Sequence, residues 1–425
     1  MKLPGGDIGA DGGVIFPAGI AAHTLVRRKL EKTYPYLRRR LLDPQVYLSS
    51  LSAYKCGKVC VKLMSYGWFP SNGGQTFDSS KHTQSTFMQK EQAQIHRTWT
   101  GSLPTDENSI KQLVNECVEF QVNIGCEAII LPSPLTVSQT SDYSVELRWL
   151  DAGLKAAQQF APSIPSLATV ALSDNALRNL APESNELITI VVDQLTARGC
   201  AGAYLVIEQS NENSYYCAHP NTVGALCRLC SELKLGGLSR IVVGPIGTAG
   251  LLGIGAGADI WTAGWYRTER RIKLSDFEDA QGRTYPTYYS HPFGSEFHLE
   301  EDLDHVVSAG FLGRVSDETS ASIKLLTALR SGLKVSAVKE WMYSRTNVEA
   351  CKEHFLRACI RESHAMHPLE PRERAMRTLG WLRSAEQLSI DLAAIQHRFN
   401  DRTDFKHQAS WLHAFESFAK RVGYI

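Results

Sequence analysis

This chain predicts an α/β fold built on a parallel sheet, and three observations carry that expectation. Between residues 105 and about 265, helical and extended patterns alternate one for one. The extended segments are apolar throughout, as strands covered by helices on both faces must be. Roughly seven or eight such βα units fit a (β/α)8 TIM-type barrel better than an open doubly wound sheet.

The elements follow in chain order. Gly13–Pro17 and Leu41–Leu48 read as the first strands, with Gly57–Met64 as a further candidate. Thr105-Asp106-Glu107 supplies a cap and early acids, and Ile110, Leu113, Val114, Cys117 and Val118 follow at helix spacing. Gly125 stops that helix before a short strand at 127–132. A helix around Val145–Phe160 precedes strand Ser166–Ser173, and a helix at Glu186–Arg198 precedes strand Ala203–Glu208. A helix at about 221–235 then leads to strand Arg240–Gly244, and after a glycine-rich turn Asp259-Ile260-Trp261 opens another strand. Beyond about 300 the strand signal fades. Leu325–Leu333, Val335–Met342, Val348–Ile360, Glu373–Leu388 and Ser410–Val422 read as amphipathic helices, interrupted at Pro368 and Pro371. The expected division is a barrel over 1–295 and an α-helical region over 296–425.

Composition narrows the classes. With 425 residues, 43% hydrophobic and 21% charged, the chain is neither disordered nor a disulfide scaffold. Lys+Arg 45 against Asp+Glu 44 leaves a net charge of +1, so nucleic acid or a membrane surface would have to be met by a local patch. The first residues lack the apolar core of a signal peptide, and no long apolar run suggests a membrane span. Ten cysteines without an export signal read as reduced thiols in a cytoplasmic protein.

In a parallel barrel the reactive groups stand at the C-terminal ends of strands. Those ends supply Asp43 and Gln45, Ser133, Asp174, Glu208, Gly244, and Trp265 with Tyr266. Asp43, Asp174 and Glu208, from three different strands, suit proton transfer or oxocarbenium stabilisation when their environments separate their pKa values. The alternative is that such acids cap the next helix or pair with a loop arginine. The run from Gly244 through Gly247 to Gly257 could turn backbone N–H groups toward an anion, or could serve close helix–sheet packing. Cys217, His219, Cys227 and Cys230 have the residue types of a zinc site, although Cys227 and Cys230 also fit an apolar helix face. Three basic stretches offer phosphate contacts: Arg27, Arg28, Lys29, Arg38, Arg39 and Arg40, then Arg267, Arg270, Arg271 and Lys273, and then 330–425, with 16 Lys+Arg against 11 Asp+Glu.

Several of these segments together resemble one family, the tRNA-guanine transglycosylases and their DNA-acting relatives. Gly13-Val-Ile-Phe-Pro-Ala-Gly19 is similar to the family's first strand, and Leu41-Leu-Asp-Pro-Gln-Val-Tyr-Leu48 to its second. Val243-Gly-Pro-Ile-Gly-Thr248, continuing from Gly257-Ala-Asp-Ile-Trp to Arg271, resembles the family's last strands, with Asp259 at the start of the most specific piece. Thr262 stands where the family has its aspartate nucleophile. Ser71-Asn-Gly-Gly-Gln75 echoes the loop of its acid/base aspartate without the acid, and the family's zinc motif has no counterpart. The resemblance implies a barrel that handles a nucleobase, of the 7-deazaguanine type in that family, at its glycosidic bond in DNA or tRNA. It also implies assembly as a homo- or hetero-oligomer.

With the nucleophile replaced, the catalytic roles would fall to Asp174, Glu208, Asp43 or Asp259. Gln45, Ser133, Gly244, Gly247, Trp265 and Tyr266 would hold the substrate, and no cofactor is required. The alternatives are a non-catalytic nucleic-acid-binding subunit on the same fold, and a metabolic barrel enzyme acting on a phosphorylated small molecule.

Overall fold

Eight consecutive residues, Ser166–Ser173, form the longest strand, and all but the first are buried. Helices cover both of its ends in sequence, and the rest of the sheet assembles beside it. The computed structural model describes residues 13–20, 25, 26, 28, 39–69, 101–212, 214–279, 286–342, 349–395, 397–400, 403 and 405–425. Arg27, Lys29, Arg38 and the segment 71–75 lie outside the described residues.

In chain order the strands and helices are β1 (Val14–Pro17), β2 (Arg40–Asp43), α1 (Gly57–Met64), α2 (Glu107–Asn123), β3 (Ile129–Ile130), α3 (Ser144–Phe160), β4 (Ser166–Ser173), α4 (Asp174–Arg178), α5 (Glu186–Ala197), β5 (Gly202–Glu208), α6 (Pro220–Leu235), β6 (Arg240–Val243), α7 (Gly250–Gly255) and β7 (Ile260–Trp261). A hairpin follows, β8 (Thr287–Ser290) and β9 (Ser295–His298). The rest is helical: α8 (Asp304–Ser308), α9 (Leu312–Val315), α10 (Ile323–Arg330), α11 (Glu349–Met366), α12 (Pro371–Ala393) and α13 (His407–Arg421).

Local chemistry sets several of these boundaries. The Asp106 carboxylate accepts the Ser109 N–H at 2.9 Å and caps α2, and Gly125 leaves that helix at φ +70°. Proline opens both α6 and α12, where its missing N–H costs nothing. Strand β2 ends at Asp43 because Pro44 cannot donate to a ladder and Gln45 turns into the left-handed region at φ 55°. The segment 57–64 is a helix, not the expected strand. Gly57, Cys60, Val61 and Met64 are buried at spacings of three and four, the helical period. The helix expected over 335–342 is only a 3-10 turn at Val335–Ala337.

Strands β3 to β7 form one five-stranded parallel sheet in sequential order, and β1 pairs with β2 in parallel. The Glu127 N–H donates to the Arg40 C=O at 3.0 Å, joining the two sheets at β2 and β3. The sheet curls, because the Tyr204 hydroxyl of β5 reaches the Asp43 carboxylate of β2 across its concave side, at 3.0 Å. It does not close. After the two-residue β7 the next strands are the antiparallel β8–β9 hairpin, and among the described residues none returns to β1. The closed (β/α)8 barrel is therefore corrected to an open, curled parallel sheet with helices packed around it.

The C-terminal helices share the sheet's own core. Leu379, Trp411, Phe415 and Phe418 belong to the same buried cluster as Leu205, Val243 and Leu252. The Trp411 indole N–H donates to the Cys217 C=O at 2.6 Å. A second cluster, including Tyr288, Phe293, Phe297, Leu326 and Trp341, fills the space between the hairpin and the helices after it. The hairpin straddles the expected 295/296 boundary, with Thr287 paired to His298. Among the described residues no helix is long and apolar enough to cross a membrane.

Candidate functional site

The parallel register sorts the strand residues into layers. Thr169, Tyr204, Val242 and Ile260 are paired across β4–β7 and share one face. Because Tyr204 reaches Asp43, that face is the concave interior, and alternation places Val206 and Glu208 on it too. The same alternation puts Thr262, two residues after Ile260, toward the interior. Its hydroxyl is buried without a hydrogen-bond partner among the described residues.

Asp43 lies deepest. One carboxylate oxygen, Oδ2, accepts from the Tyr47 hydroxyl at 2.5 Å and from the Tyr204 hydroxyl at 3.0 Å, and Oδ1 accepts the Gln45 N–H at 3.1 Å. Burial pushes this carboxyl up to about 6, against the opposing pull of the three hydrogen bonds. Gln45 itself holds a left-handed conformation that is uncommon outside glycine. Its side-chain oxygen accepts the Gly19 N–H at 2.7 Å, fixing the turn after β1 against the turn after β2.

Glu208 and Asp174 lie together at the ends of β5 and β4. Burial raises the Glu208 carboxyl above its ordinary range; a hydrogen bond from Ser210 opposes this and the Asp174 charge adds to it. Asp174 accepts the Asn211 backbone N–H at 3.0 Å and its amide at 2.8 Å, so it anchors the loop that follows β5. In that loop Gln209 is 1% exposed, and neither atom of its side-chain amide has a partner among the described residues. An amide buried with both functions unmet is costly unless something else completes it.

Other expected site residues serve the fold. Asp259 stands at the opposite, N-terminal end of its strand, where it is gripped by Lys234 at 2.8 Å and by the Ile241 N–H at 2.7 Å, so it does not join the other acids. The Ser133 hydroxyl is turned onto the neighbouring Pro134 C=O. The glycine-rich run is used for packing. A Cβ on Gly250 would lie 1.9 Å from the Trp261 ring, one on Gly255 would meet Thr378 at 2.3 Å, and the Gly247 N–H is donated to the Arg270 C=O. Gly244 abuts β5, where a Cβ would meet the Leu205 C=O at 2.8 Å and the Tyr204 hydroxyl at 3.4 Å.

The second basic cluster is likewise turned inward. Arg270 pairs with buried Glu296 at 2.8 Å and lies over the Phe355 ring, and Arg267 reaches the same carboxylate at 3.4 Å from above Tyr215. Arg271 is bound by Asp276, and Lys273 donates to the Glu212 C=O. Ile272, between them, is bridged to Glu208, so this segment is a ledge across the strand ends. Trp265 packs against α11 residues such as Phe355 and Cys359, beneath Lys352, whose ammonium sits 3.9 Å from the Tyr266 ring. In the first basic cluster Arg28 and Arg39 are exposed, and Arg40 donates to the Gly125 C=O at the N-terminal edge of the sheet, away from Asp43.

The cysteine group does not assemble a zinc site. Cys217, Cys227 and Cys230 are buried in the apolar core shared by the sheet and the C-terminal helices. Among the described residues no group of three or more His, Cys, Asp or Glu is arranged to hold a metal ion.

Sequence reasoning missed Tyr47 and Tyr204, and it placed Gln209 at the end of a strand without giving it a role. A signal existed for Tyr204, a hydroxyl inside the otherwise apolar run 203–207, and for Tyr47, one turn after Asp43. Compared with protein-family models, curated proteins and solved structures, the chain gives no match in any of the three.

Proposed function

We propose that the concave face between β2 and β7 is a reaction centre that exchanges or cleaves a nucleobase at its N-glycosidic bond, in DNA or tRNA. The observation that carries this reading is a pair of interior carboxyls, Asp43 and Glu208. Both are raised above their ordinary range, and neither pairs with a cation among the described residues. Carboxyls that hold their proton more tightly than usual suit protonation of a departing ring nitrogen, and once ionised they suit a cationic sugar. The unmet Gln209 amide and the Thr262 hydroxyl add polar groups that a base edge would satisfy. The likeness of Leu41–Leu48 and Gly257–Arg271 to transglycosylase motifs points to the same chemistry. A polynucleotide would present its target nucleotide flipped out of the stack.

The internal use of Arg267, Arg270 and Arg271 favours a second reading, a small nucleoside-like substrate on the same centre, because it removes the phosphate contacts expected beside the strand ends. Incubation with tRNA, duplex DNA and free nucleosides, followed by chromatography of released or exchanged base, tests both. Release from one of these, lost in Glu208→Gln, supports the reading and identifies the substrate. No release or exchange from any of them would sink it. Binding of polymer that weakens steeply with salt separates the first reading from the second.

A further inference from the structure

We propose that Asp43, acting through the Tyr204 hydroxyl, is the proton relay for the leaving ring nitrogen, an assignment that rests on the glycosidic-bond reading above. The geometry is that of a relay. Both tyrosine hydroxyls converge on one oxygen of Asp43, at 2.5 and 3.0 Å, while Oδ1 is held by the Gln45 N–H. Tyr204 shares the face of β5 that carries Glu208, and its hydroxyl would lie 3.4 Å from a Cβ on Gly244. Glu296, by contrast, is paired with cations, Arg270 and Arg267. Asp43 has hydroxyls instead, which can pass a proton in either direction. The titratable groups facing it from the surrounding elements are Tyr47 after β2, Tyr204 on β5 and, from α2, the Cys117 thiol, which feels its charge. Burial lets Asp43 hold its proton to about pH 6.

The step balances without a further reagent. As the bond from C1′ to the ring nitrogen breaks, its electron pair stays on the nitrogen, which takes the Tyr204 hydroxyl proton. Tyr204 takes the proton of Asp43, leaving a carboxylate. The sugar cation is captured by an incoming ring nitrogen or by water, and the proton that this nucleophile sheds returns through Tyr204 to Asp43.

Two measurements on the full chain decide the matter. Infrared difference spectra recorded across pH, wild type minus Asp43→Asn, should show a buried protonated carboxyl that ionises around pH 6. In the base-release assay the wild-type rate should fall as pH rises through the same point, and Asp43→Asn and Tyr204→Phe should each lower it by about 10²- to 10⁴-fold, the size of a general-acid contribution. Tyr47→Phe removes a hydrogen bond that favours the ionised form, so it should move the alkaline limb to higher pH. A structural role would not move that limb. A rate whose pH profile is unchanged in Asp43→Asn or Tyr47→Phe overturns the relay while leaving the glycosidic-bond reading standing. A wild type that releases no base overturns both, and a carboxyl already ionised well below pH 6 overturns the relay whatever the activity.

Discussion

The two ends of the curled sheet treat their carboxylates in opposite ways. At the N-terminal edge, Asp259 is matched by Lys234 and Glu127 by Arg240, partly exposed pairs that pin the loops entering β6 and β7. At the C-terminal edge, Asp43 and Glu208 are buried and meet hydroxyls and backbone groups, with no cation among the described residues. A carboxylate matched by a cation is locked in its charge state. One surrounded by hydroxyls in a low-dielectric interior can change it. The sheet thus separates structural charge from titratable charge along a single set of strands. Glu296 shows the structural solution carried into the interior.

The largest effect expected is at that internal pair. Glu296→Ala leaves Arg270 buried without its partner and should cost about 3–5 kcal/mol, read from urea unfolding. A negligible loss would break the distinction drawn between matched and unmatched acids. Next comes the pH dependence of Asp43. Its carboxyl is raised from 3.8 to about 6, so the native chain binds the proton more tightly than the unfolded one. Stability from this group is full below about pH 4 and is lost as pH rises to about 6. The two-unit shift corresponds to about 3 kcal/mol. Asp43→Asn should lack this slope in denaturation series across that interval. The smallest effect belongs to the N-terminal edge. Lys234→Met removes a partly exposed pair and should cost no more than about 1 kcal/mol, with base release unchanged.

Much of the fold was legible because its signals are local. Strands β4 and β5 and helices α2, α3, α5 and α6 fall within a residue or two of the ranges expected from apolar runs, caps and glycine stops. Helix α1 was misread because a short apolar run fits both periods, and only burial at 57, 60, 61 and 64 separates them. Closure of the sheet was not legible at all, since it depends on what pairs with β7, a contact no local pattern encodes. The same applies to the arginines of 267–271. Beside the strand ends they read as a phosphate surface, but their partner Glu296 lies on β9, across what seemed a domain boundary. Asp43 and Glu208 were found by their position at strand ends, whereas Tyr204 needed the curl of the sheet to bring it to Asp43.

The docking of α13 has a consequence for the order of synthesis. Trp411, Phe415 and Phe418 complete the core that β5, α6 and α7 begin some two hundred residues earlier in the chain, and the Trp411 indole satisfies the carbonyl of Cys217. While the chain is still on the ribosome, the outer faces of α6 and α7 are apolar surfaces waiting for a helix not yet made. Emergence of α13, rather than of the last strand, is therefore the event that seals the sheet. Until then the nascent chain depends on protection from aggregation.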